Sequence, residues 1–475
     1  MHIFLRSRLG LIVCSLVAFL LALAQPSAAL VPFALGATTE VTDLDEALKI
    51  FFNEPIVENV VTDTEFLDAF TLDTNVQYEQ STGGRYIETA QYFQLPGGVG
   101  ARATGDYIPV PNGPVIQNSR VYLKKLQAVT EMSGEVMKRV RGDMGAYLNW
   151  MERALPDIVT RLKDSVDRQL IGLGGGIKAR VADAAPDATL GIDTAYGATL
   201  NSAALAYAWQ LFLEGESIVF SADVDANPLR STGADRAAIV TNIDQANGIL
   251  TLDHLPTGVL DNDWIFEGDI SGHSGPDAAV ADKEIMGLLG MVDDGSLLAT
   301  FQNLLRSSYR LWNAIAIDGA SAALGFDGTL TEDVLTYADD ETFTSGGGIV
   351  DMLVTSRSAN RGYWKSLRGD RSFNDPRTYM GGKGEPLSIR LGNRTVQLRV
   401  ARKMPYALCF GLTTSTFKRW ELDGFQWDDT TGAIWNRVTD ATGRKDAFYA
   451  VGNWYLQTGC LAPRKNFRIS NLAAA

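Results

Sequence analysis

The chain has little of what most chemistry draws on. Histidine occurs three times, at His2, His254 and His273. General acid–base catalysis and zinc binding recruit histidine more than other residues, so both lose their usual agent. Cysteine also occurs three times, at Cys14, Cys409 and Cys460, with no Cys-x-x-Cys spacing. Neither a zinc site of that kind nor a disulfide framework is supported. Cys14 sits in an N-terminal apolar run, and Cys409 and Cys460 are expected as two buried thiols rather than a bridge. Positive charge is in deficit: 42 Lys and Arg stand against 56 Asp and Glu, a net −14. Such a chain repels phosphate backbones, which argues against sequence-specific nucleic-acid binding. No apolar run reaches the ~20 residues that cross a bilayer, so no membrane partner is expected. No internal period and no long low-complexity segment is present.

Motifs that could carry catalysis fail one by one. Gly319-Ala320-Ser321-Ala322-Ala323 is one residue short of a nucleophile elbow. An α/β-hydrolase needs its histidine after the serine, and none follows His273. Asp223-Val224-Asp225-Ala226-Asn227 opens like a calcium loop, but Pro228 replaces the turn glycine and Ala234 the closing glutamate. Gly172-Leu173-Gly174-Gly175-Gly176 follows a helical pattern rather than a strand and reads as a helix stop. Gly381-Gly382-Lys383-Gly384 lacks the ending of a phosphate loop, and Arg368-Gly369-Asp370 is an adhesion tripeptide of the kind that recurs by chance. Asp293-Asp294, Asp339-Asp340-Glu341 and Asp428-Asp429 could pair carboxylates, but adjacent acids diverge and solvated turns are expected. No catalytic, metal or cofactor residue is assigned, and the chain is not expected to be an enzyme.

What is present is bulk and pattern. Across 475 residues, 46% are hydrophobic, enough for sizeable cores in two or three domains. Arg6 and Arg8 precede an apolar run from Leu9 to Ala24, followed by Gln25, Pro26 and small residues to Ala29. Taken alone, this is the layout of a secretory signal peptide. An arm with short helices is expected over Thr42 to Phe70. Residues 76–120, broken by Gly83-Gly84, Pro96-Gly97-Gly98, Pro109, Pro111 and Pro114, read as a projecting β-hairpin that needs a partner surface. Leu148, Met151, Leu155, Ile158, Val159, Leu162, Val166 and Leu170 recur at helical spacing and predict one long amphipathic helix. Pro156 lies inside it, where a kink or a new helix start is expected. Residues 185–275 predict an inserted all-β module, with strands at Ser217–Phe220, Ala238–Ile243, Gly248–Leu252 and Asp263–Phe266. A helical stripe is expected from Ser296 to Ile317, a strand at Ile349–Val354, a short helix from Ser358 to Leu367, and β structure over the last 80 residues.

The order of these parts resembles a known family. Ser133-Gly134-Glu135-Val136-Met137 leads into the long helix, which ends in Asp167-Arg168-Gln169-Leu170-Ile171-Gly172-Leu173-Gly174. Later come Glu284-Ile285-Met286-Gly287-Leu288 and Met352-Leu353-Val354-Thr355-Ser356-Arg357. Over roughly residues 45–472 the chain resembles a tailed-bacteriophage major capsid protein of the Hong Kong 97 type. The resemblance implies an α+β fold with the following parts: an N-terminal arm (30–75), an extended β-hairpin loop (76–120), and the spine helix with the start of a peripheral domain (121–184). An inserted β module (185–275), an axial domain (276–400) and a return to the peripheral domain (401–475) complete it. It implies a virion shell subunit whose partners are copies of itself in pentamers and hexamers, with scaffolding protein, portal and maturation protease beside them. It implies assembly in the host cytoplasm, so residues 1–29 become a start placed too early rather than an export signal. Some members cross-link through Lys and Asn; no such pair is carried over. An encapsulin-like compartment shell shares the fold, and an exported β-rich surface or binding protein remains the alternative that the leader supports.

Overall fold

The computed structural model describes residues 71–73, 86–135, 144–198, 208–224, 228–231, 233–268, 283–366, 387–392, 394–406, 408–422, 424–429, 434–440 and 443–473. The leader, the Thr42–Phe70 arm, Arg368-Gly369-Asp370 and Gly381–Gly384 lie outside them. In chain order, β1 (Thr71–Asp73) precedes a hairpin of β2 (Ile87–Gln94) and β3 (Val115–Val121). Strand β4 (Lys124–Ser133) then leads to helix α1 (Met144–Gln169). Strands β5 (Ile177–Val181), β6 (Thr189–Asp193), β7 (Ser217–Ser221), β8 (Ala237–Asp244), β9 (Ile249–Leu252) and β10 (Trp264–Glu267) follow. After a helical turn at Leu288–Met291 come β11 (Thr300–Phe301), β12 (Leu304–Leu305) and β13 (Ile315–Asp318). Helix α2 (Glu332–Gly346), β14 (Met352–Thr355), helix α3 (Arg357–Ser366), β15 (Leu387–Leu391) and β16 (Arg394–Val400) come next. The chain closes with β17 (Cys409–Leu412), β18 (Phe417–Glu421), β19 (Gln426–Trp427), β20 (Asn436–Asp440), β21 (Gly443–Cys460) and β22 (Phe467–Ser470). The mixed α+β class expected from the sequence is what the chain adopts.

The long helix rests on a sheet built around β21. Strand β4 pairs antiparallel with it from Lys124 opposite Leu456 to Ser133 opposite Ala447. Leu126 and Ala128 alternate inward from β4 and share a core with Leu162, Val166 and Leu170 of the spine. That is period two meeting period 3.6, each presenting one apolar face. Helix α1 runs on through Pro156, so of the kink or new start expected there the new start does not occur. An interior proline costs about 3 kcal/mol, and the burial of the last two turns outweighs it.

Residues 177–267 close into a barrel in the order β10-β5-β6-β9-β8-β7. The short runs of Val, Ile and Phe between Asn, Asp and Gly turns give strands with inward faces such as Ala179, Val181, Ile218 and Phe220. A second six-stranded sheet has the order β13-β22-β17-β14-β16-β15, so β17 and β22 join strands that precede residue 400. It forms a wall between two cores. Met352, Val354, Phe410 and Leu412 face the spine's core, whereas Leu353, Cys409, Phe467 and Ile469 face a core with α2 and α3.

The predicted helix from Ser296 to Ile317 is absent. Gln302 and Asn303 both take positive φ, 48° and 64°, and turn β11 back on β12. Two positive-φ residues are what a tight two-residue hairpin demands. Phe301 and Leu304 are buried by the hairpin, while Leu305 and Leu311 stay exposed. Two 3₁₀ turns and β13 complete the segment. The buried Arg306 guanidinium then bonds backbone carbonyls on either side of the hairpin. It donates to Asp293 O, to Gly290 O at 2.6 Å and to Trp312 O at 3.3 Å. Burial pushes its pKa down to about 10 despite the neighbouring Asp293.

Candidate functional site

The hairpin is firm at its base and uncovered at its tip. Ile87 and Val121 are paired across the hairpin and pack with Trp420. Glu88 accepts from Arg120 Nε at 2.7 Å, and the same guanidinium lies 4.7 Å from the Tyr86 ring centre. Arg120 N–H donates to Gln302 O at 2.9 Å. Phe93 stacks on Tyr309 at 4.4 Å and meets Trp312 edge-on at 5.9 Å. Beyond Gln94 these anchors stop. Leu95, Val99, Tyr107, Ile108 and Val110 are between 77% and 97% exposed. The backbone there makes few internal bonds, among them Gly97 N–H to Asn112 O at 3.1 Å and Asp106 N–H to Ala103 O at 3.2 Å. Isolated apolar residues on a surface are ordinary, but five on one uncovered loop mark a contact surface.

The other charged assembly is buried where the spine ends. Asp164, Arg168 and Gln169 interrupt the apolar stripe one turn from its end, and each finds a distant partner. Arg168 pairs with Glu284, with Nη1 to Oε2 at 3.3 Å, and reaches Glu267 at 3.4 Å. Lys403 pairs with Asp164 Oδ2 at 2.5 Å and donates to Asp164 O at 2.7 Å. Lys178 pairs with Glu216. Burial opposes the charge on Arg168, but Glu284 and Glu267 outweigh it and its pKa rises. At Lys403 burial wins over Asp164 and the pKa falls.

Two of the four segments that carry the family resemblance, 167–174 and 284–288, meet here. Gln169 Oε1 accepts from Ile285 N–H at 3.1 Å, Leu170 O from Leu288 N–H at 2.7 Å and Ile171 O from Leu289 N–H at 3.1 Å. A Cβ on Gly287 would strike the carbonyls of Gln169 and Gly172, so this approach requires glycine. Gly174 turns the chain with φ +81° into β5. The glycine cluster is thus a helix stop, as expected.

A cavity of about 280 Å³ opens beside this junction, lined in part by Gln127, Ile158, Arg161, Gln210 and Arg402. The carboxylates facing it, Asp164, Glu216 and Glu267, are held by lysine or arginine. No nucleophile with an adjacent base faces it, so its chemistry is charge neutralisation between a helix, a barrel and the 402–403 segment.

Ser321 lies in an exposed turn, and its N–H donates to Asp318 O at 3.2 Å. Among the described residues no group of His, Cys, Asp and Glu could hold a metal, and Asp223 is an exposed turn residue. Asp294 is a partly exposed turn acid, but two others depart from the expected solvated turns. Asp293 is fully buried and bonded to Arg468. Asp339 is buried and takes Arg394 Nη2 on both oxygens, at 2.5 and 2.6 Å. The visible sequence signal was a charge standing inside an apolar pattern; the partners, far along the chain, gave none.

Cys409 and Cys460 are both free and buried. Burial pushes their pKa values up to about 12 and about 11. The thiolate is the reactive form, so iodoacetamide at about pH 8 should leave both unmodified in native subunit. Both should label after unfolding, as read by peptide mapping. Rapid native labelling of either would contradict the burial.

No family model matches the sequence, and no curated protein does. Solved structures do match. The chain is similar in structure to capsid proteins. The cyanophage A-1(L) capsid asymmetric unit aligns with TM-score 0.47 and 12% identity, over 88% of this chain and 95% of that one. The capsid of Myoviridae phage XM1 aligns with TM-score 0.41 and 7% identity, over 92% and 100%. Gordonia phage Cozz gives TM-score 0.42 and 10% identity, over 94% and 99%. At these values the case for function rests on the chain's own elements.

Proposed function

We propose that this chain is a major capsid protein, the self-assembling subunit of an icosahedral phage head of the Hong Kong 97 type that encloses the genome. The observation that carries the reading is the hairpin: a braced base on a rigid spine and sheet, and an apolar tip that nothing described in its own chain covers. Such a device binds a different patch on each neighbour, and contacts of that kind close into rings and larger arrays. The role proposed is structural rather than enzymatic. The N-terminal arm (30–75) and extended loop (76–120) reach onto neighbours. In this reading the axial domain of residues 276–400 also takes in β17 and β22, which complete its sheet, and the peripheral domain keeps 121–176 and the rest of 401–475, with the barrel as an insert. Copies meet in pentamers and hexamers, with scaffolding protein, portal and maturation protease as assembly partners, in the host cytoplasm.

The test is particle formation. Subunit expressed alone, and with a scaffold where one is encoded nearby, should yield megadalton shells by light scattering and electron microscopy. A compact monomer under every salt and pH condition would sink the reading. A second expectation concerns the tip. Loop amides at 95–114, mostly without internal bonds, should exchange fast in free subunit and slowly in shells. Strong protection before assembly would contradict the role given to the loop.

A further inference from the structure

Helices α2 and α3 lie on the same face of the six-stranded sheet. Val334, Leu335 and Ala338 of α2 and Ala359 and Tyr363 of α3 share one core. Their outward faces differ in charge. On α2, Glu332, Asp333 and Asp340 are exposed, with Tyr337 and Phe343 at 39% and 61%. On α3, Arg357, Arg361 and Lys365 are exposed, with Trp364 at 42%. At 3.6 residues per turn each set falls on one side of its helix. Among the described residues none of these six charges has an ion pair or hydrogen bond from its side chain.

Local helix energetics explains only part of this. Acids in the first turn and a base in the last suit the helix dipole, which accounts for Glu332, Asp333 and Lys365. It does not account for Asp340 in mid-helix. Arg357 opens α3, where a cation opposes the dipole, and Arg361 follows one turn later. Exposed aromatics beside both charge sets add apolar area, and arginine stacks favourably on aromatic faces.

We propose that the acidic aromatic face of α2 docks against the basic aromatic face of α3 in a second copy of this chain. The argument is complementarity within one domain: three carboxylates with two aromatics against three cations with one. A contact between different patches on identical subunits runs head to tail and closes into a ring by rotation. The inference rests on the shell-subunit reading and names one of its interfaces.

The test is a charge swap in the full-length chain under conditions where wild type assembles. One variant carries Glu332→Lys, Asp333→Lys and Asp340→Lys; the other carries Arg357→Glu, Arg361→Glu and Lys365→Glu. Like charges facing across an interface suppress docking, so each variant alone should lower the yield of rings and shells by about tenfold or more. Mixed in equal amounts, the two variants regain complementary contacts wherever they alternate, so even-numbered rings should partly recover, and one chain carrying all six changes should regain most of the wild-type yield. Thermal melting confirms that each variant is folded. As a readout independent of folding, Asp340→Cys with Arg361→Cys should give a disulfide-linked ladder of chains under oxidation. Single variants that assemble like wild type, or a folded six-fold variant that is not rescued together with a double-cysteine variant that gives no ladder, overturn this interface and leave the shell reading standing. Wild type that forms no ring or shell overturns both.

Discussion

Leu162→Asp should remove soluble, folded subunit altogether, whereas Lys163→Asp should leave it intact. The two positions are neighbours in sequence and opposites in environment. Leu162 is buried in the core with Val166 and Leu170, under Leu126 and Ala128 of β4, and Lys163 is exposed. Truncating a buried leucine to alanine costs about 2–5 kcal/mol, against about 5–15 kcal/mol for a whole domain. A carboxylate costs more, because it would be taken out of water in the apolar core and set beside the charge of Asp164. Lys403 is already committed to Asp164 and Lys178 to Glu216. Soluble yield and particle count for the two variants and Leu162→Ala, made side by side, measure this. Leu162→Ala should fall between them. Equal yields for Leu162→Asp and wild type would mean the spine is not buried, and the proposed function would lose its frame.

The spine was legible because its signal is local. Ile158, Leu162, Val166 and Leu170 repeat at four-residue intervals, and no tertiary contact is needed to read them. The barrel strands were legible for the same reason, as short apolar runs between turn residues. Closure was not legible, because it depends on β10 pairing with both β5 and β7, segments far apart in the chain. Leu297, Phe301 and Leu304 satisfied a helical period while the Gln302-Asn303 turn set the actual geometry. The acids Asp293 and Asp339 were misjudged for one physical reason. A carboxylate reads as solvated unless its cation is visible. Asp339 meets Arg394 55 residues later, and Asp293 meets Arg468 175 residues later.

That last pair carries the second large effect: Asp293→Ala should destabilise the subunit more than any other single removal of a surface-like acid. Asp293 follows the turn at Leu288–Met291 that is bonded to the end of the spine. Its Oδ2 accepts from the N–H groups of Gly295 at 2.9 Å, Leu297 at 3.2 Å and Leu298 at 3.0 Å. Its Oδ1 accepts from Ser296 Oγ at 3.1 Å and Arg468 Nη1 at 2.9 Å. Arg468 sits in β22 between Phe467 and Ile469, which face the other core, so its side chain crosses to the spine's side of the wall. The ion pair therefore ties the sheet to the spine junction. Breaking a buried pair by removing one partner costs about 3–5 kcal/mol, because the survivor stays charged and buried. Arg468 keeps only Asp294, 3.8 Å away and partly exposed, and a bond to Ser296 Oγ at 3.2 Å. Three backbone donors lose their acceptor as well, at about 1–3 kcal/mol for each that water cannot reach. Asp294→Ala, one residue on, removes a partly exposed acid and should cost far less. Urea midpoints for the two variants decide the matter. Asp293→Ala together with Arg468→Leu should recover part of the loss, since the stranded charge is gone. If Asp293→Ala unfolds at the same midpoint as Asp294→Ala, the buried pair is not what joins the sheet to the spine.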